Sequence, residues 1–108
     1  MLVKQLKEQL NLTSLTTGGD EKEVTGGYCG DLLSWVMSKA KDGDCWFTVM
    51  GNINAVAVAV LTDCACIVLT ENAPLDENAK ERAALEGVSI LKSEKSAFVL
   101  SSELSRLL

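Results

Sequence analysis

The chain has no histidine in 108 residues. That absence removes Ser-His-Asp and Cys-His nucleophile pairs, imidazole acid–base chemistry and the H-E-x-x-H metal motif. A basic cluster is missing too. Ten Lys and Arg stand against fifteen Asp and Glu, for a net charge of -5. A chain so balanced is a poor partner for nucleic acid or an anionic membrane. Even Lys39 and Lys41 sit beside Asp42 and Asp44. No apolar run is long enough to span a bilayer, because Gly51, Asn52 and Asn54 interrupt the stretch from Trp46 to Thr62. The N-terminus "MLVKQLKEQLNL" has charges throughout and no separate apolar core, unlike a signal peptide. The expected address is the cytoplasm.

Cysteine is present without its usual motifs. Cys64 and Cys66 form C-A-C rather than C-x-x-C, and Cys29 and Cys45 stand apart. A cytosolic domain of this size has little use for a disulfide framework. Cys45 and Cys66 fall in apolar, strand-like runs, where a free thiol behaves as a small hydrophobe. We therefore expect inert thiols, no metal and no cofactor.

What the chain does contain is ordered punctuation. Leu2, Val3, Leu6 and Leu10 share one helical face, so residues 2–10 read as a short amphipathic helix. "TSLTT" reads as a short strand ahead of Gly18-Gly19. "EVTGG" begins as a strand and breaks at its glycines. Leu32, Leu33, Val36, Met37 and Ala40 then mark a helix over 31–40, with Gly43 closing it. "CWFTVM" is an apolar strand. "NINAVAVAVLT" has the period-two alternation of a strand but small residues and Asn52 or Asn54 as N-caps; a helix restores the alternation of elements and is preferred. "CACIVL" is a buried strand. Pro74, Asp76, Glu77 and Gly87 frame the next helix, "VSIL" is a strand, and Ala97, Leu100 and Leu104 begin the stripe of a last helix capped by Ser93 or Ser96. Short, wholly apolar strands alternating with helices imply an α/β fold: one three-layer domain over residues 1–108, with a largely parallel sheet flanked by helices.

The blocks Thr25-Gly26-Gly27, Asp31-Leu32-Leu33-Ser34, the apolar strand from Cys45, "NAVAVAVL" and "ACIVLTENAPLDENAKERAALEGVSIL" follow one another along the chain. In that order they resemble the DRTGG domain family. Glu23 and Val24 stand where the family name has Asp and Arg, and the only arginines are Arg82 and Arg106. The resemblance implies a fold similar to the N-terminal domain of HPr kinase/phosphorylase. It also implies an accessory role beside catalytic modules such as P-loop domains, phosphotransacetylases and CBS-containing pyrophosphatases, the last linked to adenine-nucleotide regulation. Free-standing copies are similar to small proteins of anaerobic bacteria, some encoded near hydrogenase genes.

Two segments are candidate sites. In "VTGGYCGDLLSWV" the amides of Gly26, Gly27 and Tyr28 would form an anion nest, helped by the hydroxyls of Thr25 and Ser34. G-G-x-x-G is neither a dinucleotide fingerprint nor a Walker motif, and Asp31 would repel phosphate. The same residues equally read as a tight turn with positive φ that sets the following helix, and this is the preferred reading. In "MGNIN", Asn52 and Asn54 would read a polar ligand at the carboxyl end of a strand, or serve as caps. Thr70, Glu71 and Asn72 occupy the equivalent place after the next strand. The carboxylates of Asp42, Asp44, Asp76 and Glu77 read as solvated faces and helix starts. Trp35 and Trp46 read as core or interface aromatics. The expectation is a non-catalytic regulatory or interaction domain, a homodimer sensing a nucleotide or small anion. The alternative is a docking subunit of a partner enzyme with no small ligand.

Overall fold

A computed structural model describes residues 1–108. The chain runs α1 (Val3–Gln9), β1 (Thr13–Ser14), β2 (Gly26–Cys29), α2 (Leu33–Lys39), β3 (Asp44–Thr48), α3 (Ile53–Thr62), β4 (Cys66–Leu69), α4 (Glu77–Glu86), β5 (Ile90–Lys92) and α5 (Ala97–Leu107). The Ala-Val run is therefore a helix. Asn52 Oδ1 accepts the Ala55 amide at 2.9 Å to start α3, and Asp63 ends it in the left-handed conformation. Gly87, at φ 70°, closes α4 in the same way, and Ser96 caps α5.

Five strands form one sheet in the order β1-β5-β4-β3-β2. β2 to β5 are parallel and follow chain order across the sheet; β1 alone is antiparallel. Right-handed crossovers then put every connecting helix on one face. Val36 of α2, Val56 and Ala59 of α3, and Ala79 and Ala83 of α4 pack there against Trp46, Ile67 and Ile90. The other face has no crossover helix to cover it. The chain's two ends do so: Val3 and Leu6 of α1 and Leu100 and Leu104 of α5 pack against Cys45, Phe47, Cys66 and Leu91. Every residue of β3 and β4 is buried, as a sheet covered on both faces requires.

Three local readings are corrected. Gly26 and Gly27 do not form a turn; they open β2, and neither has positive φ. They are small because of what approaches them. A Cβ on Gly26 would stand 2.7 Å from Asp44 Oδ1, and one on Gly27 would stand 3.1 Å from Leu104 Cδ2 of α5. The helix expected over 31–40 begins at Leu33, since Asp31 is drawn to the end of β3 instead. The "TSLTT" strand shortens to two residues, because Thr16 turns its side chain into the ladder. Thr16 Oγ1 donates to Val88 O and accepts from Ile90 N, both at 2.9 Å, filling a rung at the start of β5.

Candidate functional site

The sequence-derived site residues are not gathered in one place. Gly26 pairs with Asp44 at the amino end of the sheet, whereas Asn52 follows β3 at its carboxyl end. Thr25, Gly26 and Gly27 line a hollow of about 470 Å³ with Lys39, Lys41 and Asp42. β2 is an edge strand, so alternate amides lack a sheet partner there. Two lysines and two carboxylates face this hollow, Asp44 among them. Asp44 is not a solvated acid. It is buried, and its Oδ2 accepts the Lys41 amide at 2.8 Å. Ser34 is exposed on α2, outside this hollow.

At the carboxyl end, Asp31 Oδ1 accepts from Thr48 Oγ1 at 2.8 Å and from Val49 N at 2.9 Å. It thus ties the end of β2 to the end of β3. Asn52 spends its carbonyl on the α3 cap. A side chain at Gly51 would run into Pro74 O, so the β3–α3 and β4–α4 loops meet backbone to backbone. Asn54 lies apart, on an apolar groove of about 510 Å³ between α3 and α4, where Arg82 pairs with Glu86 at 3.7 Å.

Another hollow, of about 540 Å³, opens beyond β5 and was only partly anticipated through Asn72. Its polar lining includes Asn11, Asn72, Lys92, Ser93 and Lys95, over Leu12 and Leu15. Three distant chain segments build it, so no contiguous motif announces it. The local signal is backbone conformation: Asn11, Glu71 and Asn72 all have φ near 55° (54°, 54° and 57°).

Cys45, Cys64 and Cys66 are buried, and Cys29 is exposed. Burial pushes the Cys45 thiol well above its ordinary value, reinforced by its neighbour Cys66; burial also raises Cys64 and Cys29, against hydrogen bonds from Thr62 and Ser101. Protonated thiols of this kind are poor nucleophiles and poor ligands. No group of three or more His, Cys, Asp or Glu is placed to hold a metal ion. Trp46 is fully buried and donates Nε1–H to Gly30 O at 2.9 Å, while Trp35 is 61% exposed on α2. No helix is long and apolar enough to cross a membrane.

The arrangement of strands and helices recurs in a known protein. The crystal structure of the CBS and DRTGG domains of the regulatory region of Clostridium perfringens pyrophosphatase, complexed with its activator diadenosine tetraphosphate, superposes with a TM-score of 0.77. The match covers 99% of this chain and 47% of that one, at 9% sequence identity. The fold is DRTGG-like. At that identity the likeness speaks for the fold alone, and this chain spans about half the length of the chain it matches. No family model and no curated protein matches the sequence.

Proposed function

We propose that this DRTGG-like domain is a non-catalytic regulatory module of the cytoplasm that acts as a homodimer and senses a nucleotide or other small anion. The observation that carries the reading is the fold, shared over nearly its whole length with a regulatory region whose structure holds a nucleotide activator. The sequence supports it in having no histidine for a nucleophile–base pair. The mechanism is a population shift: the ligand favours one dimer arrangement and so changes the affinity for a partner enzyme. Thr25, Gly26 and Gly27, beside Lys39 and Lys41, are one place for the anion. Ser34, Asn52 and Asn54 are not part of that hollow, and the ligand reading does not depend on them.

Calorimetric titration with ATP, AMP, diadenosine tetraphosphate and inorganic phosphate tests the sensing role. Sedimentation at several protein concentrations tests the dimer. Heat with at least one nucleotide and a dimer are expected; no heat with any of them ends the ligand reading.

A second reading has its own observation. Leu32 at the N-cap of α2, Trp35 and Met37 on α2, and Val60 and Leu61 on α3 are exposed, from 43% at Val60 to 71% at Leu61. Apolar residues on adjacent helices of one face suit a docking surface. In this reading the domain is a subunit of an enzyme complex with no small ligand. Retention of complex formation without any nucleotide is its expected result.

A further inference from the structure

The three crossovers of this sheet all lead to one face, and only the terminal helix α5 turns to the other. β4 leads into α4, whose Ala79 and Ala83 pack on that face. β5 leads into α5, whose Leu100 and Leu104 pack on the opposite face. β4 and β5 are adjacent and parallel, so their carboxyl ends send the chain to opposite sides. At this pair of strands the following helices part to opposite faces of the sheet, and ligands of α/β sheets gather at the carboxyl ends of strands. The earlier strand ends do not diverge, and Gly51 and Pro74 close the gap between β3 and β4 with backbone.

The diverging loops are held by an uncommon device. Glu71 and Asn72 form a turn in which both have positive φ, closed by Ala73 N donating to Thr70 O at 3.0 Å. Such a turn favours glycine or asparagine, and Glu71 is strained in it. The conformation aims the Glu71 amide at Lys95 O and the Asn72 amide at Ser93 O, each at 2.9 Å. The two loops are thereby fastened together, and Asn72, Ser93 and Lys95 of these loops line the hollow of about 540 Å³. Antiparallel β1 brings Asn11, also at positive φ, to the far wall.

We propose that this hollow, between β1 and the loops after β4 and β5, binds a small organic molecule bearing a phosphate. Its charge comes from Lys92, which has no carboxylate within ion-pair distance, and from Lys95, which is paired with Glu103 at 3.1 Å. Glu94 also faces the hollow, so the lysines outnumber the acids in its lining. The side-chain amides of Asn11 and Asn72 make no hydrogen bond within the protein and offer donors for phosphate or sugar oxygens. Leu12 and Leu15 supply an apolar wall for the organic part. The volume is that of an ordinary small-molecule site, larger than inorganic phosphate needs. The proposal rests on the ligand-sensing reading above and moves the ligand away from the glycine segment.

The test is amide chemical-shift mapping of the full chain with ATP and, separately, with inorganic phosphate. Expected shifts centre on residues 11–13, 71–72 and 92–95, with ATP binding more tightly than phosphate. Lys92→Glu should weaken ATP binding at least tenfold, as should Asn72→Asp, which keeps a residue tolerant of the left-handed conformation. Arg106→Glu, an exposed position outside both hollows, should leave binding unchanged. An unchanged amide spectrum away from the substitution shows that each variant folds. Shifts centred on 25–28 and 39–44, lost in Lys41→Glu, would overturn this site while leaving the sensing role intact. No shift with either probe would overturn both.

Discussion

The carboxylate of Asp44 occupies the space that a side chain at position 26 would need. Oδ1 lies 2.7 Å from where a Cβ on Gly26 would be, while Oδ2 accepts the Lys41 amide. Neither group has room to yield: Asp44 is buried, and β2 is held in register on β3. Gly26→Ala should lower unfolding free energy by about 1–3 kcal/mol, the usual range for overpacking. In an Asp44→Ala background the same change should cost less, because the clash is gone. Urea denaturation of the four proteins of this cycle measures the coupling. Equal costs in both backgrounds would mean that the two residues do not meet.

Asp31 is expected to matter as an acceptor rather than as a helix cap. Asp31→Ala leaves the buried Thr48 hydroxyl and the Val49 amide without their partner, at a cost of about 1.5–3 kcal/mol. Asp31→Asn keeps an oxygen in place and should lose much less. Thermal unfolding of both variants separates the roles, since a helix-start role would instead follow the loss of charge.

The thiols predict an alkaline limit. Burial raises Cys45 and Cys64 above ordinary thiols, whereas in the unfolded chain they ionise at about pH 8.5. Above that pH the unfolded state loses protons that the native state keeps. Stability is therefore complete below about pH 8.5 and falls as pH rises towards the raised native values. The urea midpoint should hold up to about pH 8.5 and fall progressively above it, and fall less in Cys45→Ala. At neutral pH a thiol reagent should modify Cys29 alone, and all four cysteines only in denaturant.

Glu71→Gly should stabilise the domain by about 0.5–1 kcal/mol, because it relieves a left-handed non-glycine residue. Gly87→Ala should do the reverse by about 1 kcal/mol: there is open space around it, and its φ of 70° alone opposes a side chain. Melting temperatures report both signs.

These positions also show what can be read from the chain. Asn52, Gly87 and Ser96 act on backbone within a few residues, and the helices they bound are legible in sequence order. The alternation of apolar strands with these helices carried the parallel sheet with it. Gly26 and Gly27 were not legible. Their reasons are Asp44 and Leu104, far along the chain, and a glycine demanded by a neighbour looks the same as one demanded by a turn. Asp31 was misplaced for a like cause: its partners lie on the next strand. The hollow beyond β5 needs three segments brought together by the reversed direction of β1. Of its lining, the sequence points only to Asn72, as one of three polar residues at the carboxyl end of β4.

Because α1 and α5 share one face of the sheet, both ends of the polypeptide belong to the same side of the molecule. A module fused at either end would grow outward from that side. The α2–α3–α4 side, with Trp35 and the groove at Asn54, lies on the opposite face. The fold therefore keeps α1 and α5 on the face away from the exposed apolar residues of α2 and α3.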